Sequence, residues 1–291
     1  MSDQARNLRK RMEARQAKTV EEMKIVTVVS GKGGVGKSNV SVNFSVALSQ
    51  AGQRVLLLDL DVGMANIDIL LGKSSPYSIV DMIDSEFSIW DIMNEGPYGL
   101  KFIAGGSGLT NLFEMNEQKR ERFLTQLESL KGHIDTIVLD MGAGATHDSM
   151  HFIMAAHEAL LVTTPEPTSI TDAYSMIKYL HLEDKDLPIS LIVNRVQSPH
   201  EGKQTGENLS RVTAQFLQKE LRVLSTIPDD SSVLTAVRRQ VPVLINQPKA
   251  KASRAIQHLA ETFSGEEAVN PSSTFTAFAT RFRRFFGKEE G

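Results

Sequence analysis

Short runs of apolar residues recur along the chain, each too short and too continuous to be one face of a helix. They occupy residues 25–29, 54–59, 100–104, 136–140, 159–163, 189–193 and 223–227. Continuous apolar strands of this kind are buried on both faces, as in a mostly parallel sheet. Between them the apolar positions return at helical spacing, over about 38–51, 116–130, 168–182, 204–220 and 249–263. This alternation predicts a doubly wound α/β domain with a mostly parallel sheet over residues 24–264.

Both ends depart from the pattern. Residues 1–23 are polar and basic, with Gln4, Ala5, Leu8 and Met12 on one narrow helical stripe. A stripe that thin suits either a solvated leader or a short recognition helix that docks on a partner. Residues 265–273 read as a linker rich in turn-forming residues. It leads to 274–287, expected as a separate unit. There Phe275, Phe278, Phe282, Phe285 and Phe286 share about 100° of arc at 100° per residue. Arg281, Arg283, Arg284 and Lys288 lie outside that arc. Burying five phenylalanines at about 2 kcal/mol each outweighs the ordering of one short helix. The flanking arginines favour an anionic lipid surface, and packing on the chain's own domain or on a partner is the alternative.

The chemistry begins after the first predicted strand. Gly31-Lys32-Gly33-Gly34-Val35-Gly36-Lys37-Ser38 fits the phosphate-loop pattern Gly-x4-Gly-Lys-Ser, with Asn39 following, between a strand and a helix. Glycines let the backbone curl so that several N–H groups converge on phosphate oxygens, and the next helix adds its positive end. Lys37 is placed to reach the β- and γ-phosphates, and Ser38 to put its hydroxyl on Mg²⁺.

Ligands of an open parallel sheet bind beyond the carboxyl ends of its strands, so the residues that end the strands matter most. Asp59 and Asp61 end the second run, before Val62-Gly63. Beside a phosphate loop such a pair suits Mg²⁺ and an attacking water; alone it is a solvated turn. Asp140 ends an apolar strand and precedes Met-Gly-Ala-Gly. It is the expected partner of the phosphate-loop Mg²⁺, and Gly142 and Gly144 would let the loop sense the γ-phosphate. Asn194 and Arg195 end the strand at 189–193. The Asn194 amide offers the donor and acceptor of an adenine edge, although a helix cap is the plainer reading. Pro228-Asp229-Asp230 could complete the base pocket through its backbone, with Asp230 alternatively capping the next helix.

Composition narrows the classes. The 291 residues carry a formal charge of −3, so there is no global case for nucleic-acid binding and none is expected. The absence of cysteine removes disulfides, thiolate metal sites and cysteine nucleophiles. The seven histidines show no metal-ligand spacing. No run reaches 18 apolar residues and the start has no signal-peptide core, so neither secretion nor a membrane span is expected.

Taken together, Lys32-Gly33-Gly34-Val35-Gly36-Lys37-Ser38, Asp59-Leu60-Asp61-Val62-Gly63 with Asn66-Ile67-Asp68, Asp140-Met-Gly-Ala-Gly and Ile227-Pro-Asp-Asp-Ser-Ser with Val241-Pro-Val resemble the MinD/ParA ATPases. The resemblance covers residues 24–263 and implies a SIMIBI-type nucleotide-binding fold that cycles ATP and ADP with Mg²⁺. It implies that Lys32 reaches the partner's phosphates across an ATP-bound homodimer and that Asp61 positions the attacking water. It also implies that Asp140 holds Mg²⁺, and that Asn194 and the backbone near Pro228 and Asp230 bind adenine. The tail resembles a MinD-type membrane-targeting helix, giving a cytoplasmic protein held peripherally at the inner face of the membrane. Asp3-Gln4-Ala5-Arg6-Asn7-Leu8-Arg9 resembles the leader of the FlhG (YlxH) family, whose members activate the GTPase FlhF, engage flagellar switch-complex proteins and control flagellar placement and number. The expected function is therefore a membrane-cycling switch ATPase, slow unless stimulated. A division-site MinD, a DNA-partitioning ParA and a metabolic enzyme or metal-cluster carrier are the alternatives.

Overall fold

The computed structural model describes residues 23–61, 66–106, 116–144, 147–265 and 274–286, without the side chains of 147, 148 and 286. Eight strands form one sheet: β1 (Lys24–Ser30), β2 (Val55–Leu60), β3 (Asn94–Glu95), β4 (Lys101–Ile103), β5 (Thr136–Ala143), β6 (Glu158–Thr163), β7 (Ile189–Val196) and β8 (Arg222–Pro228). Their order is β3-β4-β2-β5-β1-β6-β7-β8. Every pairing is parallel except that of the two-residue edge strand β3 with β4. The doubly wound, mostly parallel sheet expected from the sequence is the one observed. β3 was not legible because two residues carry no periodicity.

Alternation within each strand feeds both faces. Ile25 and Val29 enter one core together with Leu56, Leu58 and Leu60, while Val26, Val28, Val55 and Leu57 enter the other. The second core is closed by α1 (Lys37–Gln50), buried on nearly every side, and by α11 (Lys251–Gly265), with Phe44 and Phe263 edge to face at 5.1 Å. The first core lies under α3 (Ile79–Asp84), α5 (Glu117–Glu128), α6 (His147–Ala155), α7 (Pro167–Glu183) and α8 (Pro199–Leu217). Short helices α2 (Ile67–Leu71), α4 (Ile89–Ile92), α9 (Ser231–Arg238) and α10 (Val243–Asn246) fill the connections. The helix expected from residue 204 begins at Pro199, where the Ser198 side chain accepts from the Glu201 N–H. Gly202 and Gly206 obscured it. A Cβ at either would stand 3.0 Å from Thr226 or 2.9 Å from Val223, so both are glycine to let the helix sit close on the sheet.

The ends differ from expectation. Met23, placed in the leader by the sequence boundary, is 1% exposed and belongs to the core. The candidate leader residues Asp3, Gln4, Ala5, Leu8 and Arg9 lie outside the described residues. The tail helix, α12 (Phe275–Phe286), is not a separate unit. Phe275, Phe278, Phe282 and Phe285 are buried in the first core, against α5 and α6. The Phe282 ring stacks on Phe123 at 5.4 Å and meets Phe152 at 5.2 Å. Arg283 makes a two-pronged pair with Glu121 at 2.6 and 2.7 Å, and Lys131 lies over Phe275. Among the residues expected outside the apolar arc, Arg283 and Arg284 are exposed and Arg281 is half-buried. So the apolar face expected at lipid is, in this structure, turned into the protein, and the Phe286 side chain lies outside the description.

Candidate functional site

The carboxyl ends of β1, β2, β5 and β7 converge, and the loop from Gly31 to Gly36 crosses them. Gly34 and Gly36 have φ of +82° and +87°, the left-handed region that lets the loop curl. Gly31 serves packing instead: a Cβ there would lie 2.2 Å from the Asp172 carbonyl oxygen of α7. The β5 end is fastened to the loop by the Gly144 N–H donating to the Ser30 carbonyl at 2.9 Å.

Lys37 is 6% exposed, and its Nζ lies 2.9 Å from Asp140 Oδ1 and 3.7 Å from Asp61 Oδ2. One cation therefore stands between the two carboxylates predicted to do the chemistry. Burial raises the Asp61 pKa, and the Lys37 charge opposes that shift. Asp140 is fully buried, and among the described residues its Oδ2 has no hydrogen-bond partner. An orphaned buried carboxylate oxygen is costly, and a hydrated cation would satisfy it. Ser38, in the adjoining first turn of α1, supplies a hydroxyl. The pair Ser38 and Asp140 thus fits Mg²⁺, which keeps several waters and binds through one or two protein oxygens plus phosphate. Among the described residues no group of three or more His, Asp or Glu side chains forms a complete metal cage.

Asp59, expected at the metal, is occupied otherwise. Its Oδ1 accepts from the Asp61 N–H at 3.1 Å, and its Oδ2 accepts from the Asn66 and Ile67 N–H groups at 2.9 and 3.1 Å. It staples the two ends of the first candidate switch loop together. Burial, then the charge of Asp140 facing it across β2 and β5, pushes its pKa up to about 7.

On the other side, the Asn194 amide donates to the Val35 carbonyl at 2.8 Å, which ties β7 to the phosphate loop. Arg195 is exposed, with φ of +57°, at a bulge just before β7 ends, where the register with β8 shifts between Asn194 and Val196. The Asp229 N–H donates to the Val196 carbonyl and its carboxylate accepts from Gln197. Asp230 caps α9 through Ser232 N–H and also accepts from Ala252 N–H, bonds that lower its pKa. Its side chain is thus committed to capping, leaving backbone along Pro228–Asp230 to face a base. Lys32 is exposed, its Nζ donating to Thr168 Oγ1 at 3.0 Å at the start of α7. Sequence reasoning missed Ser41, which donates to Asp140, and Thr168; a hydroxyl four residues after Lys37 was the only signal for the first.

This arrangement defines a phosphate-loop nucleotide-binding protein. Residues 26–243 match the CobQ/CobB/MinD/ParA nucleotide binding domain, and the chain belongs to that family. It is an ATPase that uses Mg²⁺. The chain is 36% identical over 268 residues to the antiactivator FleN of Pseudomonas aeruginosa, covering 92% of this chain and 96% of that protein. It is 34% identical to the flagellum site-determining protein YlxH of Helicobacter pylori, covering 81% and 80%. Among solved structures it is similar to MinD of the MinC:MinD cell division complex of Aquifex aeolicus, with a TM-score of 0.69, 27% identity and coverage of 85% and 98%. It is likewise similar to the septum site-determining protein MinD of Pyrococcus horikoshii, complexed with Mg-ADP, with a TM-score of 0.69, 25% identity and coverage of 86% and 98%.

Proposed function

We propose that this chain is a switch ATPase that regulates flagellar placement and number, with ATP closing a homodimer and hydrolysis opening it. The observation that carries the reading is the reach of the FleN likeness beyond the nucleotide-binding domain, over 92% of the chain. When bound, Mg²⁺ offsets the negative charge that builds on the transferring phosphoryl group. Lys37 turns from Asp140 and Asp61 to the phosphates, and its departure frees Asp61 to hold the attacking water. Asp59 holds the residues on either side of the first switch loop, Asp61 and Asn66, to its own carboxylate. Lys32 is exposed, so exchanging Thr168 for a partner's phosphate costs it little desolvation.

The tail belongs to the same cycle. Residues 141–146 join Asp140 directly to α6, and α6 carries Phe152, against which Phe282 packs. A γ-phosphate that reorders this connection therefore acts on the floor of the tail's groove. Release of α12 would offer its phenylalanines to an anionic membrane, giving a peripherally held protein; among the described residues no helix is long and apolar enough to cross one. The leader at Asp3–Arg9 is the segment we assign to stimulation of the GTPase FlhF, with flagellar switch-complex proteins as further partners. Two measurements test the proposal. Deleting residues 1–20 should abolish stimulation of FlhF GTPase activity, and unchanged stimulation would overturn the flagellar assignment. Liposomes containing anionic lipid should sediment the chain with ATP and not with ADP; equal sedimentation in both would overturn the coupling.

A further inference from the structure

The Walker-type aspartate has a second holder that the phosphate-loop pattern does not include. Ser41 lies on α1 one turn after Lys37, and its Oγ is 2.6 Å from Asp140 Oδ1 and 3.1 Å from the Lys37 carbonyl. A hydroxyl has one proton to give, and the shorter contact to the charged acceptor takes it. Both side chains are fully buried, so bulk water does not compete for the contact between them. Among the described residues Oδ1 of Asp140 then has two donors, Ser41 and Lys37, whereas Oδ2 has none.

This asymmetry outlasts one of its makers. Lys37 must leave Oδ1 when it engages phosphate. Ser41, with no ligand to bind, stays. Without a donor at either oxygen the plane of the carboxylate would be set by packing alone, because terminal torsions of this type are broad and roughly two-fold. We infer that Ser41 is a positioning residue: it pins Oδ1 of Asp140 so that Oδ2 alone is presented to the Mg²⁺ of the nucleotide complex. The inference rests on the ATPase reading, with Asp140 and Ser38 holding the metal.

Partners one shell behind a metal ligand typically carry 10–100-fold in metal affinity. The test is a MgCl₂ titration of mant-ADP fluorescence on the full chain, read as the Mg²⁺ concentration at half-saturation. Ser41→Ala should raise that midpoint about 10-fold while leaving mant-ADP affinity without Mg²⁺ within about 2-fold of the original. Ser45→Ala is the control. Its hydroxyl is equally buried, donates to the Ser41 carbonyl at 2.8 Å, and does not touch Asp140, so its midpoint should not move. Ser41→Cys is slightly larger and keeps a weaker donor; it should fall between the two, and it supplies the reading if the alanine variant does not fold. An unchanged midpoint in the Ser41 variants, or an equal shift in Ser45→Ala, overturns the inference. A parent chain whose mant-ADP binding ignores Mg²⁺ overturns the ATPase reading itself, a separate result.

Discussion

Phe282→Ala tests whether the terminal helix is part of the fold or an appendage. In the structure Phe282 is fully buried, with ring centroids 5.4 Å from Phe123, 5.2 Å from Phe152 and 5.7 Å from Phe278. Truncating a core phenylalanine costs about 3–5 kcal/mol, from lost transfer free energy and the cavity left behind. Each aromatic pair contributes about 0.5–1.5 kcal/mol beyond area, so the upper half of that range is expected. On a free tail the same change would cost near zero. Guanidinium unfolding followed by circular dichroism, with Trp90 fluorescence as the second probe, measures the difference. If α12 undocks more easily than the domain unfolds, the loss levels off at the docking free energy. The variant then binds liposomes without nucleotide. A loss below about 1 kcal/mol together with unchanged liposome binding would refute the docked helix.

Three further outcomes follow from the site. Asp61→Ala should retain nucleotide binding and dimerisation while hydrolysis stops; phosphate release at the parent rate would remove Asp61 from the chemistry. Gly31→Ala drives a methyl group into the Asp172 carbonyl, so the loop must shift, and nucleotide affinity should fall at least 10-fold by equilibrium titration, an estimate that corresponds to about 1.4 kcal/mol. His157 is held neutral by burial and by its Nδ1, which accepts from the Ile25 N–H at 2.8 Å; its Nε2 lies 3.0 Å from the Thr274 carbonyl, a contact that pulls the other way. Burial lowers its pKa to about 4, with the charges of Arg281 and Lys24 adding to the shift, so between pH 6.5 and 4 the unfolded chain binds the extra proton. Stability from this residue is complete above pH 6.5 and falls as the pH drops through that window, by about 2 kcal/mol at pH 5. His157→Gln should flatten that part of the pH dependence; an unchanged slope would refute the assignment.

The elements that position the nucleotide were legible because each rests on local pattern. Apolar runs gave seven of the eight strands, and glycines at Gly34 and Gly36 with Lys37 and Ser38 gave the loop. What could not be read depends on contacts distant in sequence. Ser41 is an ordinary helix serine until β5 brings Asp140, 99 residues on, to its hydroxyl. Asp59 and Asp61 look equivalent as a pair two residues apart, and only the fold turns one to the Asn66 and Ile67 amides and the other to Lys37. α6 escaped because its nine residues are too few for a clear period. The tail's amphipathic face was plain, but amphipathicity names a surface that must be covered, not what covers it. The chain's own Phe123 and Phe152 meet that need as well as lipid would.

That equivalence sets the energetics of the proposed switch. Four phenylalanines leave water whether α12 lies on its own domain or in a bilayer, at about 2 kcal/mol each either way. The transfer term therefore nearly cancels between the two destinations. What differs is specific to the docked state: the aromatic contacts of Phe282, the Thr274 carbonyl beside His157, and the Arg283–Glu121 pair, which is exposed and worth at most about 1 kcal/mol. To them is added the cost of uncovering Phe123 and Phe152, which lipid does not repay once the helix has gone. The docked state is thus favoured by contacts on α5 and α6 rather than by hydrophobicity as such. A rearrangement that spoils the fit of α6 moves the balance without changing the helix. The proposed second switch, which follows Asp140 and precedes α6 in sequence, would act on this balance.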